Sequence, residues 1–484
     1  MFNTTKRVLA FVLVAVLVFS LAGCSKVEDN GSSAGVEVEY DIEYQYETQS
    51  GDSTSGGGQG GGQGGNTTTS DGGDTTTSSG SSDDWVVNQL TQADLDALKG
   101  TTVKFASTID PKSDGTQNVV DSFTKKYGIN VEIVACSLPG YITEMQGLIN
   151  AGESPDVGRS NGDYPGFLAY FDSLDKAKID FNDPIWNQNT FKLTTFNGKT
   201  YMCDTYGNYW TEVDIIVYNK KILSDAGVKT PEEYAETGDW TWDAFFEICR
   251  EATDFMGKPA GTSCSNEAAL HAAGGAVFKI ENERMVNAVN ANTTAIVNKF
   301  AKANKDGIYQ IKGSTAMVDG TAAISILHAW ALRKDGDLKN SQWGNMGFYF
   351  LPSYEKGGET PATGIFRGFG IMKGAKNPVG GGVFLRHYLD VENYDTDNAF
   401  LSEEAKTFFF RLTTKDYADN YNPYLTYVDL NKDIAGVDYA KDIYSVLQME
   451  PGAVVDSQMA AVKSAVEKGA KNLNDFIEDN IYSN

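Results

Sequence analysis

The sequence predicts an α/β protein in two lobes, and three observations carry that expectation. Strand-like and helix-like patterns alternate from Val103 onward. A folded body of roughly 385 residues, Gly100 to Asn484, exceeds the roughly 250–300 residues at which one hydrophobic core stops growing. No self-similar segment recurs along the chain, which argues against solenoids and propellers. In chain order, Val103-Lys104-Phe105-Ala106 reads as a short strand. Asn118 to Tyr127 places Val119, Val120, Phe123 and Tyr127 on one helical face, and Gly128 follows as its stop. Ile129 to Val134 is a strand, Tyr141, Met145, Leu148 and Ile149 form a second helical stripe closed by Gly152, and Pro155-Asp156-Val157 begins a third strand. Such alternation implies a mostly parallel sheet, wound right-handed, with helices on both faces. Further on, Ile215-Ile216-Val217-Tyr218 reads as a buried strand, Trp242 to Thr253 as a helix opened by Thr241 and Asp243, and Ala322 to Leu327 as an apolar strand. Met346 to Leu351 and Gly368 to Met372 are strand-like, and Met459 to Glu467 is a terminal helix.

The N-terminus reads as an export signal. Lys6 and Arg7 precede an unbroken apolar run, Val8 to Phe19, of signal-core length. The run is shorter than the roughly 18 apolar residues of a membrane span. It ends in Leu21-Ala22-Gly23-Cys24, which resembles the lipobox of bacterial lipoproteins. That resemblance implies removal of residues 1–23, palmitate-type acylation of Cys24, and retention on the outer face of the cytoplasmic membrane (the periplasmic side in a cell with an outer membrane). Two or three acyl chains give an attachment that one cannot. Residues 24–99 read as a disordered tether, first acidic and then Gly/Ser/Thr-rich, because they cannot bury enough apolar area to offset their ordering entropy.

The chain carries 40 Lys and Arg against 65 Asp and Glu, a net charge of −25. Such a charge argues against nucleic acid or an anionic lipid surface as the main partner. Beyond Cys24, the cysteines Cys136, Cys203, Cys249 and Cys264 have no CxxC or zinc-finger spacing, and two disulfides or four free thiols both fit.

Five landmarks then carry a resemblance. They are Ala151-Gly152-Glu153-Ser154-Pro155-Asp156-Val157, Phe196-Asn197-Gly198-Lys199-Thr200-Tyr201, Ile216-Val217-Tyr218-Asn219-Lys220-Lys221-Ile222-Leu223, Asp319-Gly320-Thr321-Ala322-Ala323, and Gly370-Ile371-Met372-Lys373-Gly374-Ala375-Lys376-Asn377-Pro378. In order and spacing the chain resembles the carbohydrate class of extracellular solute-binding proteins, the maltose- and multiple-sugar-binding group. The resemblance implies the two-lobed fold of periplasmic binding proteins (type II), each lobe a mostly parallel sheet flanked by helices and joined by a hinge of chain crossovers. Lobe one would take about 100–208 plus 350–390, and lobe two about 209–349 plus 391–484. It further implies a monomer that captures a sugar or oligosaccharide by lobe closure and hands it to the permease and ATPase subunits of an ABC importer. It implies no catalysis, no cofactor and no metal. The sequence departs at Leu327-His328-Ala329-Trp330, where the family has Gly-x-Trp.

Sugars present C–H faces that stack on aromatic rings and hydroxyls that need fixed acceptors and donors. Asp163, past the third strand, matches an Asp that binds sugar hydroxyls in maltose-binding relatives, and its alternative is an Asx turn. Tyr164 beside it is a stacking candidate. Glu212 lies six residues before Tyr218, where relatives carry a sugar-binding Glu, and Tyr206, Tyr209 and Trp210 crowd the same crossover. Trp330 and Trp343 are further ring candidates. Arg367 can donate to hydroxyls or pair with a uronate, against a structural ion pair. Trp240 and Trp242 read as packing.

Other chemistries lack their signatures. Asp429-Leu430-Asn431-Lys432-Asp433 has calcium-loop spacing, but Ile434 and Ala440 stand where an EF-hand needs Gly and Glu. His271, His328 and His387 share no HExxH or triad-like spacing, and the Gly-rich segment lacks the Gly-Lys-Ser/Thr of a phosphate loop. Three rivals stay open: a binder of a peptide, polyamine or sugar acid, a glycan adhesin or sensor, and a glycoside hydrolase using two carboxylates.

Overall fold

A computed structural model of the chain describes residues 90–108, 116–136, 141–208, 212–341, 345–394, 399–425, 433–437 and 444–482. In chain order its strands are β1 (Thr102–Ser107), β2 (Asn130–Ala135), β3 (Val157–Asn161), β4 (Phe171–Asp172), β5 (Thr195–Phe196), β6 (Lys199–Thr200), β7 (Asp214–Asn219), β8 (Gly261–Ser263), β9 (Phe278–Glu281), β10 (Arg284–Asn287), β11 (Tyr309–Ile311), β12 (Ile324–His328), β13 (Met346–Tyr349) and β14 (Arg367–Met372). Two five-stranded sheets form, with orders β2-β1-β3-β14-β4 and β11-β8-β12-β7-β13, beside the two hairpins β5–β6 and β9–β10.

β1 pairs in parallel with β2 and β3, and β14 runs antiparallel to β3 and β4. β8 pairs in parallel with β11 and β12, and β7 runs antiparallel to β12 and β13. In each sheet one strand, β14 or β7, therefore opposes the other four. Both opposing strands are buried at every position, as expected of strands covered on both faces.

The local signals explain the elements. The helix Gln117–Tyr127 buries Val119, Val120 and Phe123 and stops at Gly128, whose φ of 68° favours a residue without Cβ. Thr241 caps the helix Trp242–Met256, its hydroxyl accepting from the Ala244 amide, and that helix buries Trp242, Phe245, Phe246 and Ile248. One core gathers Val103, Phe105, Phe123, Val157, Ile371 and Phe384 around the first sheet. Another gathers Val213, Ile215, Val217, Leu327, Phe348 and Phe408 on the second.

Two expectations need correction. The body begins before residue 100: Gln92–Leu98 is a helix inside the segment read as tether. A capping box explains it, with the Thr91 amide donating to Asp94 Oδ2 at 2.8 Å and the Asp94 amide to Thr91 Oγ1 at 3.2 Å. Leu90, Leu95 and Leu98 then pack on the first-sheet core. The terminal helix runs Ala453–Ile477, much longer than Met459 to Glu467, and packs along β10. Among the described residues no helix is long and apolar enough to cross a membrane. Cys136, Cys203, Cys249 and Cys264 are all free thiols, the first three buried.

Candidate functional site

The chain passes between the two sheets in segments whose described ends lie side by side. The outgoing segment leaves the first sheet at Cys203, bridged to Phe369 of β14, and reaches Val213, bridged to Gly364 of the returning segment. The Asp214 amide donates to Thr363 O at 2.7 Å and the Ile365 amide to Glu212 O at 3.0 Å. A Cβ on Gly364 would collide with the Glu212 carbonyl, so this approach needs glycine. A third segment joins through the bridges Ala362–Tyr421 and Ile365–Tyr424.

Arg367, first residue of β14, knots this junction. Its Nη2 donates to the Asn208 carbonyl at 2.5 Å, its Nη1 to Glu212 Oε1 at 3.4 Å, and its Nε lies 3.7 Å from Asp204 Oδ2. Asp204 also accepts from the Thr205 amide at 2.8 Å and from Asn208 Nδ2 at 2.7 Å. Burial pushes the Asp204 carboxyl above its ordinary value, while Arg367 pulls it back. Arg159 on β3 is drawn down by burial and then by Arg367, and Glu212 opposes this. Side-chain exposure is 0% for Asp204, 6% for Arg367 and 18% for Glu212, so Glu212 is the more accessible of the two acids.

On the second-sheet side, His328 ends β12 opposite Asp214, with Nδ1 2.9 Å from Asp214 Oδ1. Asp337, raised by burial, feels both His328 and Glu212. Glu212 is thus the acid addressed from both sides: by Arg367 and Arg159 of the first sheet, and by Asp337 beside the second.

The structure brings Glu212 and Arg367 together and separates other candidates. Asp163 is fully buried and accepts from the hydroxyls of Ser160 and Tyr170, so it serves an internal network. Tyr164 is 0% exposed, its ring against Phe167, Phe196 and Phe366 and its hydroxyl donating to Leu193 O at 2.6 Å. It has no open face to stack, which corrects the ring reading: long-range aromatic packing claims it. Tyr206 is half-buried, with the Lys415 ammonium 5.3 Å over its ring and its hydroxyl donating to Asp419 Oδ1 at 3.1 Å. Trp330 is half-buried two residues past His328, with the Arg333 guanidinium 4.7 Å from its ring. Cys24, Tyr209, Trp210 and Trp343 lie outside the described residues, as does most of the calcium-like segment. Among the described residues no group of three metal-ligating side chains is assembled. Trp240 and Trp242 pack in the core as read.

Sequence reasoning missed Arg159, Asp204, Asn208, Asp214 and Asp337. A signal existed for two of them: Asp214 is a charged residue opening the apolar run Ile215–Tyr218, and Arg159 interrupts a strand that is otherwise small or apolar at its start.

Residues 118–396, more than half of the chain, match the family described as bacterial extracellular solute-binding protein. A search of curated protein sequences returns no match. Solved structures share the fold at low identity. The cyclic α-maltosyl-1,6-maltose binding protein of Arthrobacter globiformis superposes with a TM-score of 0.58 at 15% identity, covering 77% of this chain and 99% of its own. Maltose-bound MalE3 of T. maritima gives 0.55 at 17% identity, covering 78% and 100%. The galacto-N-biose/lacto-N-biose I-binding protein of a Bifidobacterium longum ABC transporter, solved with lacto-N-biose, gives 0.57 at 15% identity, covering 78% and 97%. Two sheets of matching build, extended crossovers between them and a family match spanning both lead to one assignment: the chain belongs to the bacterial extracellular solute-binding proteins.

Proposed function

We propose that this protein captures a neutral oligosaccharide outside the cell, by closure of its two lobes, and delivers it to an ABC-type importer. The observation that carries the reading is the charge count at the junction. On the first-sheet side of the junction Arg159 and Arg367 stand against Asp204 and Glu212, two cations against two anions, so that side offers a bound ion of either sign no net complement. A polyhydroxylated neutral molecule fits better, because the fixed carboxylate of Glu212 accepts strongly from hydroxyls. The fold relatives solved with maltose and lacto-N-biose support the same class. Glu212, Arg367 and Trp330 are the residues assigned to the ligand, with Tyr209 and Trp210 of the same crossover as ring partners and Tyr206 and Trp343 at the margins; Asp163 and Tyr164 are scaffold.

We read the role as capture without catalysis, a reading supported by the family match and by the fold relatives, which are binding proteins. Residues 1–23 act as the signal, Cys24 carries the lipid, and the segment from there to about residue 89 is the tether of a monomeric binding body. The test is a thermal-shift and calorimetric screen of neutral and uronate glycans. Stabilisation by a neutral glycan, lost on Glu212→Gln, supports the reading. Binding of uronates alone would favour a sugar-acid binder, the one rival that the paired arginines suggest. Silence across a broad panel would overturn both.

A further inference from the structure

Outside the Arg367 junction, one end of the three central strands of the second sheet assembles a thiol, an imidazole and a carboxylate that ligand capture leaves unused. Cys264 follows β8, and its amide donates to Ile326 O of β12 at 2.9 Å, which fixes the residue against the neighbouring strand. Its Sγ lies 3.5 Å from His328 Nε2. The other ring nitrogen of His328, Nδ1, lies 2.9 Å from Asp214 Oδ1. A thiol, an imidazole and a carboxylate therefore stand in line, drawn from β7, β12 and the end of β8, with His328 and Asp214 meeting as an ion-pair contact.

Cys264 and His328 are both only partly covered, whereas Cys136, Cys203 and Cys249 are buried. Burial pushes the Cys136 thiol up to about 11 and those of Cys203 and Cys249 well upward, which makes them inert. For His328, burial alone would lower the imidazole, but Cys264 and Asp214 outweigh it and hold the ring well above its ordinary value. The acids around the ring come from every packed element: Asp214 on β7, Glu267 on the helix Asn266–Ala272, and Asp337 after β12, with Glu212 beyond them. They favour a charged His328 ring, which sets a positive charge 3.5 Å from the Cys264 sulfur.

We propose that Cys264 is a reactive thiol, activated by the His328–Asp214 pair, and a site of modification by low-molecular-weight disulfides. The Cys264 thiol loses its proton to water, and the charged His328 ring holds the resulting thiolate. The thiolate sulfur attacks one sulfur of the small disulfide, a new S–S bond forms to Cys264 as the old one breaks, and the departing thiolate takes up a proton from water. The disulfide is the only oxidant, and atoms and electrons balance.

The test treats the full chain with 5,5′-dithiobis(2-nitrobenzoate) at pH 6.5 and follows the Cys264 peptide by mass spectrometry. Cys264 should be modified about 10-fold or more faster in the folded chain than in the chain unfolded in urea. His328→Gln should slow modification of Cys264 about 10-fold or more in the folded chain. Asp214→Asn should do the same more weakly. The comparison of folded with unfolded wild type decides even where a variant fails to fold. Equal rates in folded and unfolded chain, or equal rates in wild type and the His328 variant, would overturn the proposal.

Discussion

Replacing Arg367 with Met tests whether the junction is held by an ion pair or only decorated by one. Arg367 is 6% exposed and Asp204 is 0% exposed, so the substitution leaves a buried carboxylate facing apolar carbon. Removing one partner of such a pair typically costs about 3–5 kcal/mol. Spread over roughly 385 residues, an unfolding entropy of about 2.1 cal/mol/K per residue converts this into a melting point lower by about 4–6 °C. The sign with pH is fixed as well. Burial already raises Asp204, and without Arg367 it rises further. An acid whose folded value lies above its unfolded one binds more protons when folded, so the penalty is full at high pH and shrinks as pH falls through the folded value. Arg367→Met with Asp204→Asn should recover most of the loss. Chemical denaturation at pH 8 and pH 5 reads all of this. A single variant losing less than about 1 kcal/mol, or a double variant losing the sum of both, would refute the ion-pair account.

Glu212→Gln should weaken binding of a stabilising glycan about 10-fold or more in calorimetry, as loss of a charge-assisted acceptor does, with the melting point of the free protein shifting little. Tyr164→Phe should cost about 1 kcal/mol of stability for the lost bond to Leu193 O and leave glycan affinity unchanged; an affinity loss would return Tyr164 to the ligand. Thr91→Ala should cost about 1 kcal/mol and speed amide exchange in Gln92–Leu98 only. His271, packed on Tyr424 and drawn down to about 3 by burial, is neutral when folded. Stability should therefore decline as pH falls from about 6.5 toward 3, and His271→Phe should flatten that decline in pH-dependent melting.

Much of the fold was legible because its signals are local. Gly128 and Thr241 announce helix ends through backbone geometry and capping, and neither depends on distant residues. Glu212 was found by its distance from a recognisable strand. Tyr164 and Asp163 were misread for the opposite reason. Phe366, which packs across the Tyr164 ring, lies some two hundred residues later, whereas Ser160 and Tyr170, which occupy the Asp163 oxygens, are close in sequence and are turned onto it only by the burial of the loop. The Gln92–Leu98 helix was lost in its neighbours' composition, although Thr91 and Asp94 carry the capping spacing. Arg367 illustrates the middle case: its identity suggested either a ligand or a partner acid, and only the position of Asp204 decides.

The two strands that run against their sheets have a mechanical consequence. β14 and β7 are each second from an edge, hydrogen-bonded on both flanks, and each is entered directly from the joint. A torque arising at the joint enters two ladders of a sheet at once and cannot peel a border strand. Load carried through Val213–Asp214 and through Phe366–Arg367 is therefore shared between two neighbouring strands in each sheet.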